Sequence, residues 1–272
     1  MPTSSSCAKA AHPKRSDAQT ASLKRLNPQA TTDRPTLILL HGFRGAPQGL
    51  AAIADDLRAA GYTVQAPPVP PFAGAPALKS YTPDTYADYF AHYLKTQPFS
   101  RPVIIGHSMG SIVAAALAAR YPDLIHSKLI LLSPVSCRPA AGFAYLSKLP
   151  AFLPRRLVDF VTTSYLHTAS SQASFRNLLQ LTHVCSHDHS PRAADLLAAS
   201  SFSAHHSVAE FTLPQSICII AGEHDRLIPR AATEKLAKEL HAELQLLPHT
   251  GHLHNYEFPH LTAAAIRAFL ER

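Results

Sequence analysis

The sequence predicts an α/β fold, with a mostly parallel central sheet, helices on both faces, and a helical insertion past its middle. Three observations predict it. Apolar runs of strand length show no polar alternation, so they need cover on both sides, as parallel strands do. Helical patterns separate those runs, the usual connection between parallel strands. The alternation lapses between about residues 137 and 213 and then resumes, which suits one domain with an insertion.

Residues 36–40, Thr-Leu-Ile-Leu-Leu, read as the first buried strand, and 50–60 as a helix ended by Gly61. Residues 62–67 read as a second strand. A helix follows, starting near Thr82 or Pro83. The Tyr81, Tyr86, Tyr89 and Tyr93 series has helical spacing and reads as a packing face. Pro102-Val103-Ile104-Ile105 is the third strand, and the small-residue run 111–119 is a buried helix. Residues 129–132 form the fourth strand. Inside the insertion only short helical stretches stand out, at 155–167 and 174–181. Strands at 217–220 and 243–247, with helices at 230–241 and 259–270, complete the pattern.

The bulk properties exclude several classes. Hydrophobic residues make up 46% of 272 and charged residues 16%, the balance of a globular protein. The formal charge of +7 is scattered rather than gathered, and no nucleic-acid motif accompanies it, so no nucleic-acid partner is expected. The 4 cysteines are irregularly spaced without a Cys-x-x-Cys pair, which points to a reducing, cytoplasmic location. Cys218, inside an apolar run, reads as a small core residue. No stretch reaches the roughly 18 apolar residues that a bilayer span needs. Residues 1–34 lack an apolar segment, which argues against a secretory signal. They read as a flexible basic N-terminal tail, with an organelle-targeting peptide left open.

Gly106-His107-Ser108-Met109-Gly110 joins the third strand to the small-residue helix. A serine at so sharp a turn takes a strained backbone, tolerable when the residues two before and two after lack side chains. The turn lifts the hydroxyl above the sheet and aims a helix N-terminus at the same place. A serine nucleophile needs a base, and the base needs an orienting acid. In a parallel sheet these belong at the C-terminal ends of strands. Two loops qualify: Gly222-Glu223-His224-Asp225 with Pro229, and Pro248-His249-Thr250-Gly251-His252-Leu253-His254. The residues alone leave Asp225 against Glu223, and His252 against His249 and His254.

With His41-Gly42-Phe43 after the first strand, these motifs resemble, in order, those of the α/β-hydrolase superfamily, in its serine-hydrolase branch with a helical lid. The resemblance spans about residues 36–272. It implies Ser108 as nucleophile, Asp225 as acid and His252 as general base. It also implies an oxyanion hole from the backbone N–H groups of Phe43 and Met109, whose side chains would line the pocket floor. Glu223 would then contact backbone within its loop, and His41 and His107 would make structural hydrogen bonds to nearby loops. The chain departs from the family pattern in the proline-rich, uncharged segment 66–74 and in lacking the first two strands of the larger sheet. A sheet of six strands is therefore expected.

The expected activity is hydrolysis of a small or medium apolar carboxylic ester, under a lid rich in apolar side chains such as Phe143, Phe152 and Phe160. Acyl transfer, thioester cleavage, carbon–carbon hydrolysis and perhydrolysis on the same triad remain alternatives, as does a non-catalytic ligand-binding relative. No cofactor or metal is expected. The run His183-Val184-Cys185-Ser186-His187-Asp188-His189 has metal-binding residue types but no familiar zinc spacing, and reads as a polar lid loop.

Overall fold

The computed structural model describes residues 34–136 and 191–272. Residues 1–33 of the tail, the stretches at 155–167 and 174–181, the His183–His189 run and the named lid aromatics lie outside the described residues. Six parallel strands form one sheet: β1 (Leu37–Leu40), β2 (Val64–Gln65), β3 (Val103–His107), β4 (Lys128–Leu132), β5 (Ser216–Gly222) and β6 (Glu243–Leu247). Their order is β2-β1-β3-β4-β5-β6, and every pairing is parallel. The chain runs outward from β1 to β2 and returns on the other side of β1 as β3. That reversal opens a crevice at the C-terminal ends of β1 and β3, where this class of sheet binds ligands.

Side-chain alternation along the strands divides the core in two. Ile38, Leu40, Ile104, Leu129 and Ile219 face one layer, which is closed by α2 (Pro83–Lys95), α3 (Met109–Arg120), α4 (Ala193–His205) and α5 (Arg230–Glu239). Leu37, Leu39, Ile105, Ile130 and Ile220 face the other, closed by α1 (Ala51–Ala59) and α7 (Pro259–Leu270), with the short α6 (His254–Glu257) preceding α7. Cys218 belongs to this second layer and is fully buried.

Helix α3 is buried around almost its whole circumference, which its small apolar residues permit. The tyrosine series packs as expected, with Tyr86 fully buried and Tyr81, Tyr89 and Tyr93 half-buried against the first layer. Its hydroxyls add ties the spacing did not foretell. Tyr86 donates to the Pro70 carbonyl at 2.8 Å, and Tyr81 donates to Asp195 of α4 at 3.1 Å. The residues of β2 predicted as strand over 62–67 pair only at Val64–Gln65, because the prolines that follow offer no N–H to a neighbour. Helix α4 lies within the insertion where the sequence reading named no helical stretch, and its buried Leu196, Ala199 and Phe202 make it part of the core.

Candidate active site

Ser108 follows β3 with φ 52° and ψ −120°, a conformation that costs a non-glycine residue roughly 1–3 kcal/mol. The surrounding backbone enforces it. A methyl group on Gly106 would collide with the Gly110 carbonyl, and one on Gly110 would collide with the Leu40 carbonyl of β1. The elbow therefore works only where strand, helix and neighbouring strand approach with no side chains between them. Ser108 N–H donates to Leu132 O at 2.9 Å, anchoring the turn to β4. Ser111 adds a second tie: its hydroxyl donates to Ser108 O at 2.5 Å and accepts from Val135 N–H at 3.2 Å.

Asp225 and His252 come from the loops after β5 and β6, which are laced together through His224 N–H to Thr250 O at 2.8 Å and Glu223 N–H to Leu247 O at 3.0 Å. Asp225 Oδ1 accepts from the N–H groups of Leu227 and Ile228 at 2.8 and 2.9 Å. Its other oxygen, Oδ2, lies 2.8 Å from His252 Nδ1, and the two side chains are 2% and 1% exposed. Burial works to raise the carboxyl pKa, but the His252 charge, its hydrogen bond and the two backbone donors together hold it below the ordinary value. An ionised carboxylate only accepts, so His252 carries its proton on Nδ1. His252 Nε2 is then the acceptor for the Ser108 hydroxyl, at 2.8 Å. Such an arrangement can draw the hydroxyl proton onto imidazole as the oxygen forms a new bond.

The competing residues go elsewhere. Glu223 does not use its carboxylate on loop backbone as expected; it faces outward and pairs with Arg230 at 3.8 Å, since α5 begins just beyond the loop. His249 is exposed, with its ring 6.1 Å from that of His224. His254 is fully buried, its Nδ1 3.0 Å from the Thr262 hydroxyl, and burial together with the nearby His252 charge lowers its pKa to about 3.

A small cleft opens over Ser108, lined by Gly42, Phe43, Leu50, His252, Leu253 and Tyr256 among others. Phe43 lines it as expected; Met109 is fully buried in the first core layer, in the same cluster as Phe43. Met109 N–H, the first of α3, has no acceptor within the helix. Gly42 abuts the serine, for a methyl group there would stand 3.0 Å from Ser108 Cβ.

His41 and His107 make structural hydrogen bonds to nearby loops, as expected from the sequence. His41 Nδ1–H donates to Gly42 O at 2.9 Å, and its Nε2 accepts from Val69 N–H at 2.9 Å. Burial lowers its pKa to about 4, against the Gly42 hydrogen bond. This is the role of the proline-rich segment that sequence reasoning missed: Val69 holds His41, and Phe72 packs edge-on to Phe43 with ring centres 5.4 Å apart. Among the described residues no group of three or more His, Cys, Asp or Glu is placed to hold a metal, and no helix is long and apolar enough to cross a membrane.

Comparison with known proteins agrees with this frame. A family model described as the alpha/beta hydrolase family matches residues 37–265. The chain is 28% identical over 240 residues to the pimeloyl-(acyl-carrier protein) methyl ester esterase of Aromatoleum aromaticum, covering 81% of this chain and 92% of that one. The enol-lactonase from Burkholderia xenovorans LB400 shares the fold with a TM-score of 0.76 at 17% identity, covering 88% of this chain and 92% of that one. A thermophilic esterase from Thermogutta terrifontis does so with a TM-score of 0.71 at 21% identity, covering 88% and 91%.

Proposed function

The chain belongs to the alpha/beta hydrolase family, and from that premise we propose that it is a serine hydrolase cleaving small or medium apolar carboxylic esters through an acyl-Ser108 intermediate. The observation that carries the reading is the pair of 2.8 Å hydrogen bonds linking Asp225 through His252 to Ser108. The methyl ester esterase relative supports an ester as the substrate class. The apolar Phe43, Leu50 and Leu253 in the cleft support an apolar acyl or alcohol group.

In this reading Ser108 Oγ attacks the ester carbonyl carbon while His252 Nε2 takes the hydroxyl proton. The backbone N–H groups of Phe43 and Met109 receive the developing oxyanion, each such donor being worth about 10²–10³ in rate. Collapse breaks the carbon–oxygen bond, and the imidazolium gives its proton to the departing alcohol. Water then attacks the acyl-serine, His252 takes and returns one proton, and the carboxylic acid leaves with Ser108 restored. Asp225 stays ionised throughout and stabilises the transient imidazolium.

A fluorophosphonate probe and a series of p-nitrophenyl esters of rising chain length test the reading. The unsubstituted protein is expected to label and to turn over the shorter esters. Ser108→Ala is expected to remove labelling and to lower kcat by roughly 10⁴–10⁶, with an unchanged melting temperature. Undiminished turnover by Ser108→Ala would discard the mechanism.

A further inference from the structure

Ser108 and His252 lie 144 residues apart in sequence, so their alignment depends wholly on tertiary contacts. The His252 ring is held at both nitrogens, but ring contacts alone do not locate the main chain that carries it. His107, the residue before Ser108, supplies that link. Its Nε2 lies 3.0 Å from the backbone oxygen of His252. A carbonyl only accepts, so this nitrogen carries the proton. On the other side, Nδ1 faces the loop after β1, standing 3.2 Å from where a methyl group on Gly42 would sit. The His107 ring thus lies between the two loops that flank the serine. Its centroid is 5.4 Å from the His252 ring and 5.7 Å from the His254 ring, which meets it edge-on at 89°. Burial, reinforced by the neighbouring His252 and His254 imidazoles, drives the His107 pKa well below the usual histidine value, so the ring stays neutral.

We propose that His107 is a positioning residue: by donating Nε2–H to the His252 carbonyl, it sets the main chain of the general base relative to the nucleophile. The inference rests on the reading of His252 as general base. A neutral donor suits the task, because a second cation 5.4 Å away would oppose the imidazolium that forms on His252 during turnover.

The test compares the unsubstituted protein with His107→Leu, which fills the space without a donor, and His107→Gln, whose amide N–H reaches a similar place. Displacement of a catalytic group by about 1 Å can cost up to about 10²-fold. His107→Leu is therefore expected to lower both kcat and the fluorophosphonate labelling rate constant by about 10- to 100-fold, with KM nearly constant. His107→Gln is expected to recover most of that loss. A His107→Leu protein that labels at the original rate would overturn the proposal, and so would a glutamine variant as slow as the leucine one. If His107→Leu does not fold, nitrogen-15 NMR of the unsubstituted protein decides: a proton on His107 Nε2 is expected, and one on Nδ1 overturns the proposal. If the unsubstituted protein itself fails to label, the serine-hydrolase reading falls and this inference with it. Labelling that His107→Leu leaves untouched removes this inference alone.

Discussion

The elbow carrying Ser108 and the paired loops carrying Asp225 and His252 are held by different forces. The elbow is fixed by contact: backbone meets backbone at Gly106 and Gly110, and the strained serine has nowhere to relax. The loops are fixed by polar bonds, from two N–H groups onto Asp225 and from His107 onto the His252 carbonyl. Steric positioning is unforgiving of added volume, because packed backbone does not yield. Polar positioning tolerates isosteric change in shape but not loss of charge or of a donor.

The sharpest way to break that contrast is Gly110→Ala. Its methyl group would meet the carbonyls of both Leu40 and His41. A loss of about 3 kcal/mol or more in urea unfolding is expected, with activity lost in step with the fold. A stable, inactive Gly110→Ala protein would show that the elbow is less rigid than the contacts imply. Asp225→Asn is the opposite case. It is expected to cut kcat by about 10⁴ because it no longer enforces the Nδ1–H tautomer of His252, while the protein still folds. Glu223→Gln, at an outward-facing ion pair, should leave kcat nearly unchanged. The reverse ranking would move the acid to Glu223.

Acid titration sharpens the contrast further. His41 has its folded pKa lowered to about 4 and His254 to about 3, against 6.5 when unfolded. The unfolded chain therefore binds more protons just below pH 6.5. Stability is full above that value and is lost as pH falls toward the folded pKa values, at about 1.4 kcal/mol per pH unit for each group. Asp225, depressed below 3.8, adds stability above its unfolded pKa that is lost only at lower pH, as its folded value is crossed. Urea midpoints measured from pH 7 to pH 5 should fall steadily, and His41→Gln should flatten the slope. A flat profile in the unsubstituted protein would mean that these imidazoles are not buried neutral.

The contact-fixed region is also the more legible in sequence. Glycines two before and two after Ser108, set between an apolar strand and a small-residue helix, announce a backbone constraint that few other structures share. The bounds of β6 and α7 were readable for a related reason, since apolar spacing there is uninterrupted. The polar region was less so. Three histidines share one short loop, and only the fold reveals that His249 is exposed, His254 buried against Thr262, and His252 turned to Asp225. Likewise Val69 bears on the site only because its N–H reaches His41, which lies 28 residues away in sequence. Hydrogen bonds that join distant segments leave no periodic trace.

The 144-residue separation between Ser108 and His252 also bears on how the protein is made. Chains grow from the N-terminus, so the elbow leaves the ribosome long before the loop with the imidazole does. Until that loop has been synthesised and has docked, the serine has no base, and a hydroxyl without one is a poor nucleophile. On the proposed mechanism, a half-made chain in the crowded interior of a cell is harmless to the esters around it.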